Sequence, residues 1–85
     1  MDPVATRDFI AEQRRVVDEL DSQLIEIIKA RREVSYGIQR HRIEAKRPKS
    51  DTSRESAILQ KYAKQLDERK GASLAMEVLK VCRIP

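Results

Sequence analysis

The chain has 85 residues, so it holds one small domain at most. Charged residues make up 38% and aromatics only 4%, with no Trp, which suits helices and argues against a β-sandwich. A net charge of +4 allows an anionic small molecule or a nucleic acid as partner and decides neither.

Residues 1–6 read as a short, loose leader. A long first helix follows from about Arg7 to Lys46, a stretch without Pro. Its apolar residues Val17, Leu20, Leu24, Ile27, Val34 and Ile38 recur at spacings of three, four or seven, the signature of one helix face. At about 100° per residue, Arg31 and Arg42 fall in the middle of that stripe and Arg14 at its edge. Arg15, Lys29 and Arg40 project from the opposite, solvated face. A helix of this length spans roughly 55 Å at 1.5 Å per residue, against about 30 Å for a compact monomer. The stripe cannot be buried along its length in one such globule, so two long helices are expected to pair in a homodimer.

Lys46-Arg47-Pro48-Lys49-Ser50 is the expected break, because Pro48 disfavours helix at the residue before it. Thr52-x-x-Glu55 reads as a capping box opening a second helix. Ile58, Tyr62 and Leu66 form its inner face, and it ends near Asp67. Lys70-Gly71 marks the next turn. Leu74, Ala75, Val78, Leu79 and Val81 mark a third helix that runs almost to Pro85. The expected class is therefore all-α, one long and two short helices in a single domain over residues 1–85.

The inward arginines carry the functional reading. A guanidinium stays charged, and burying one without an anion is very costly. No acidic residue of the first helix lies in mid-stripe to supply that anion. On the second helix, Glu55 shares the face of Ile58, Tyr62 and Leu66, Arg54 lies near its edge, and Asp51 just precedes it. Arg14, Arg31, Arg42, Arg54, Asp51 and Glu55 then form one inward set, with more cations than carboxylates. Such a set describes a pocket for a dianion that also carries a hydroxyl, since arginine forks suit carboxylates and a carboxylate accepts from an alcohol. Plainer readings exist for each member taken singly. Glu55 closes a capping box, Asp51 caps or turns, and the arginines snorkel or pair with a partner chain.

Other chemistry finds no support. His41 lies off the stripe without a companion ligand, and Ser35 permits close packing. Cys82 has no assignable base and reads as a small apolar residue; being single, it forms no internal disulfide and no zinc site. Gly37 and Gly71 stand alone, so no phosphate-binding loop is present. No metal or cofactor is called for. No signal-peptide core or membrane span is visible, so a reducing cytoplasm is the expected setting.

These residues resemble the all-helical chorismate mutases. The matching pieces are Arg14 six residues before Leu20-Asp21, then Ala30-Arg31-Arg32-Glu33-Val34, then Arg42, then Asp51-Thr52-Ser53-Arg54-Glu55. They cover roughly residues 10–82, and their order and spacing together are more specific than any one piece. The short length and the ending Leu74-Ala75-Met76-Glu77-Val78-Leu79 look most like the short actinobacterial subclass. The resemblance implies an intertwined homodimeric helical bundle with two active sites, each built from both chains. It implies the Claisen rearrangement of chorismate to prephenate, in phenylalanine and tyrosine synthesis, without metal or cofactor. By matching position, Arg14 reaches across from the partner to a substrate carboxylate and Arg31 binds a carboxylate from its own chain. Arg42, where many relatives have Lys, hydrogen-bonds the ether oxygen. Asp51 and Glu55 contact the ring hydroxyl, and Arg54 completes the cationic wall; Arg42 and Glu55 would carry the catalytic contacts.

One departure stands out. Relatives often place a Ser and a Gln on the last helix, whereas this chain has Val81-Cys82-Arg83-Ile84-Pro85. The resemblance then implies one protein donor at the ether oxygen in place of two, and weak activity for the chain alone. In the short subclass the first synthase of the same pathway can reorder this segment, which makes that enzyme a candidate activating partner. Two further expectations stay open. Isochorismate pyruvate-lyase acts on a similar dianionic enolpyruvyl ether on the same scaffold. A basic helical dimer binding nucleic acid would use Arg40-His41-Arg42 through Lys46-Arg47-Pro48-Lys49.

Overall fold

The structure is a computed structural model that describes residues 2–48 and 50–85. Met1 and Lys49, the latter part of the expected basic break, lie outside the described residues. Three helices and no strand occur among the described residues: α1 (Pro3–Glu44), α2 (Thr52–Gln65) and α3 (Glu68–Val81).

α1 starts earlier than its apolar stripe suggested. Residues 3–6, expected as a loose leader, form its first turn. Asp2 is the N-cap, its carboxylate accepting from the Val4 N–H at 2.9 Å, and Pro3 occupies the first helical position, where its missing N–H costs nothing. The helix then runs for 42 residues, about 63 Å at 1.5 Å per residue. It ends in a Schellman motif. The Lys46 N–H donates to the Ile43 carbonyl at 2.9 Å and the Arg47 N–H to the Arg42 carbonyl at 2.8 Å. Lys46 takes the left-handed conformation (φ 58°) that glycine commonly fills at this position.

α2 is capped by Asp51, whose carboxylate accepts from the Arg54 N–H at 3.1 Å. The expected capping box is therefore displaced: Thr52 is the first helical residue and Glu55 has no reciprocal role at the helix start. Asp is at least as strong a cap as Thr, and it stands one residue earlier. α2 stops at Gln65, and Leu66, expected on its inner face, closes the helix while remaining 64% exposed. Asp67 then caps α3, accepting from the Arg69 and Lys70 N–H groups at 3.1 and 2.8 Å. Lys70-Gly71, expected as a turn, lies inside α3. Gly71 is buried there, where α3 crosses the backbone of α2.

α2 and α3 pack closely as a hairpin, and α1 meets it only through its C-terminal part. Among the described residues the buried ones are few: Gln39 on α1, Gly71, Ala75 and Val78 on α3, and Cys82 just after it. Residues 7–27 of α1 are exposed throughout. Val17, Leu20, Leu24, Ile27, Val34 and Ile38 are each more than half exposed on the single chain. The radius of gyration is 18.2 Å and the long dimension 64 Å, against about 12 Å for a compact domain of this length. The accessible surface is 7242 Å², against about 5200 Å² expected for a compact monomer of 9.9 kDa. The excess of roughly 2000 Å² exceeds the ~800 Å² that one partner contributes to a standard stable interface. No described helix is long and apolar enough to cross a membrane.

Candidate functional site

The C-terminal part of α1, the start of α2 and the end of α3 enclose a pocket of about 700 Å³, within the usual range for small-molecule sites. The 100° advance of α1 aligns Ile27, Arg31, Val34, Ile38 and Arg42 along one wall. The start of α2 supplies Asp51, Arg54, Glu55 and Ile58. Leu79, Cys82 and Arg83 close the third side. Five of the six residues picked out by their inward register therefore line one pocket: Arg31, Arg42, Asp51, Arg54 and Glu55.

Each is held differently. Arg31 and Arg42 are half-buried on α1. The Arg42 Nε donates to the Pro48 carbonyl at 2.9 Å, tying its guanidinium to the loop that leads into α2. Asp51 has both roles considered for it: its carboxylate caps α2, and the residue lines the pocket. Arg54 is exposed at the rim. Glu55 is half-buried and pairs with Arg83 at 3.5 Å. Among the described residues, none of Arg31, Arg42 and Arg54 forms an ion pair with a carboxylate. By contrast Arg15 and Lys29, placed on the solvated face, pair with Glu12 at 2.7 Å and Glu26 at 3.3 Å. Four guanidiniums and two carboxylates leave the pocket with a formal charge of +2.

Arg14 is not part of this pocket. It is exposed on the N-terminal half of α1, in a shallow depression with Thr6, Ile10 and Ala11. Seventeen residues of continuous helix separate it from Arg31, about 25 Å. No conformation of its side chain spans that distance within one chain.

Two pocket residues lay outside the expected set. Arg83 follows the end of α3 and enters the pocket through its ion pair with Glu55. Gln39 is only 7% exposed and lines the same pocket. Adjacent helical residues stand about 100° apart, so Gln39 falls off the stripe that holds Ile38, and its partners lie forty-three and forty-five residues away. Cys82 is buried and free, the small apolar role expected of it. His41 is exposed. No cluster of residues suited to holding a metal ion occurs among the described residues.

No family model matches the chain, and no curated protein or solved structure matches it either.

Proposed function

We propose that the chain is a chorismate mutase, acting as a homodimer. The observation that carries this reading is the pocket of charge +2 in which three arginines lack a carboxylate partner within the described chain. Desolvating a guanidinium without an anion is unfavourable, so such a pocket is completed by an anionic ligand. Chorismate carries two carboxylates and a ring hydroxyl, which matches the net charge and the carboxylates at Asp51 and Glu55.

The reaction is intramolecular. The ether C–O bond breaks while a C–C bond forms between the enolpyruvyl methylene and the ring, and no group leaves the molecule. The protein then needs only to restrain and stabilise. Arg31, with Arg14 of a second copy, would hold the two carboxylates so that the flexible side arm lies over the ring. Arg42 would face the ether oxygen, where negative charge grows as the bond breaks. A donor tied to the Pro48 carbonyl needs little reorganisation, so it stabilises the transition state more than the ground state.

The dimer is supported by the uncovered stripe and the excess surface of α1. The 25 Å between Arg14 and Arg31 supports sites shared between two chains, because a second α1 running antiparallel would carry its own Arg14 toward this pocket.

The test is the loss of chorismate absorbance on adding purified protein, with prephenate identified as product. Activity that disappears in Arg31→Ala, with the fold retained, establishes the reading. No reaction with chorismate, but pyruvate release from isochorismate, would replace it with the lyase. No reaction with either, alone or with the first synthase of the pathway added, would sink both.

A further inference from the structure

α3 ends at Val81, and the residues after it have few helix hydrogen bonds to hold them; the last are Cys82 N–H to Val78 carbonyl and Arg83 N–H to Lys80 carbonyl. Gln39 of α1 takes over from there. Its amide nitrogen donates to the Cys82 carbonyl at 2.7 Å, and its amide oxygen accepts from the Ile84 N–H at 2.9 Å. The same nitrogen reaches the Ser35 hydroxyl and carbonyl at 2.9 and 3.1 Å, which sets the amide plane from its own helix. One side chain thus clasps the backbone on both sides of Arg83. The bond to the Cys82 carbonyl is buried and the one from Ile84 part-buried, so the first is shielded from competing water. The clasped residue is the one whose guanidinium stands 3.5 Å from Glu55 on the pocket wall.

We propose that Gln39 is a positioning residue that locks the turn at 82–84 onto α1 and so holds Arg83 in the pocket as its fourth guanidinium, contributing to the binding of a dianionic ligand. The ligand-binding half of this inference rests on the mutase reading. The clasp itself does not. Without it, the turn at 82–84 loses two hydrogen bonds to α1, and Arg83 is held less firmly even though its side chain is intact. Cys82, at 1% exposure and the only cysteine, is a built-in reporter of that release.

The experiment uses the full chain with Gln39→Leu, Arg83→Gln and the double variant. Two quantities are read: the rate at which a thiol reagent labels Cys82, and KM and kcat for chorismate. Gln39→Leu should label at least about tenfold faster with helicity retained, since one buried and one part-buried hydrogen bond to the turn are lost. Arg83→Gln should label as the wild type. Each single variant should raise KM by about tenfold, the scale of one charge-assisted contact, and the double variant no further, because Gln39 acts through Arg83. Unchanged labelling in Gln39→Leu, unchanged KM in Arg83→Gln, or effects that multiply in the double variant would each overturn the proposal. A merely structural glutamine would lower stability and leave KM where it was. If Gln39→Leu does not fold, Gln39→Asn replaces it, since an amide one methylene shorter cannot reach both backbone groups. If the wild type turns over chorismate neither alone nor with the first synthase of the pathway added, the mutase reading fails separately. The Arg83 role is then read from the Kd of malonate, which the same variants must raise in the same non-multiplying pattern; no weakening overturns it.

Discussion

Gly71 lies directly against the carbonyl of Tyr62. A Cβ at Gly71 would sit 2.4 Å from the Tyr62 oxygen, 2.8 Å from its carbonyl carbon and 2.9 Å from the Ala63 Cα. All three are backbone atoms, so none can yield by a rotamer change. Gly71→Ala should destabilise the chain by about 1–3 kcal/mol or more by forcing α2 and α3 apart. Gly37 is the control: a Cβ there meets nothing within 4 Å, and Gly37→Ala in the interior of α1 should raise stability by about 0.5–1 kcal/mol. Thermal unfolding of the two variants reads opposite signs; equal effects would remove the close approach as the reason for Gly71.

Lys46 bears the left-handed conformation at the end of α1. A side chain in that region is disfavoured by about 1–2 kcal/mol, whereas glycine adopts it freely but gains entropy in the unfolded chain. Lys46→Gly should therefore raise stability by up to about 1 kcal/mol, seen as a higher denaturant midpoint with unchanged slope. A lower midpoint would show that the lysine side chain contributes more than its backbone conformation costs.

Arg42 is the proposed donor to the ether oxygen. Arg42→Ala should lower turnover by ~100-fold or more, the scale for removing one preorganised oxyanion donor. The effect should fall on kcat more than on KM, since the charge it meets develops in the transition state. A folded variant with near-wild-type turnover would exclude Arg42 from that role.

Arg14 and Arg31 are too far apart to serve one site from one chain. Mixing an inactive Arg14→Ala protein with an inactive Arg31→Ala protein should restore activity after subunit exchange. A heterodimer would hold one site with both arginines and one with neither. Verified exchange without recovery would reject the shared site, whatever the oligomeric state.

How much of this was legible beforehand differs from residue to residue. The all-helical class and the order of the three helices followed from periodicity, because a buried face must repeat at 3.6 residues wherever it packs. Arg31, Arg42, Arg54 and Glu55 were grouped by register and Asp51 by standing just before α2, and they line one pocket because register fixes the direction a helical side chain takes. The start of α1 lies outside the periodic pattern, since Pro3–Thr6 carries little of it and only the Asp2 cap and Pro3 mark the helix there. Asp51 displaced Thr52 as cap because neighbouring candidates compete for the same N–H groups, and spacing does not rank them. Gly71 looked like a turn because glycine serves turns and close helix crossings alike.

The residues by themselves determined the helical periods, the inward direction of the arginines and the surplus of cations over carboxylates. Only the tertiary arrangement decided that Arg83 faces Glu55 and that Gln39 clasps the turn between Cys82 and Ile84. The difference is physical. Helix geometry is set by bonds between residues four apart, so it can be read locally. Which groups meet across forty residues depends on how the α2–α3 hairpin seats its end against α1, a choice that no local spacing encodes.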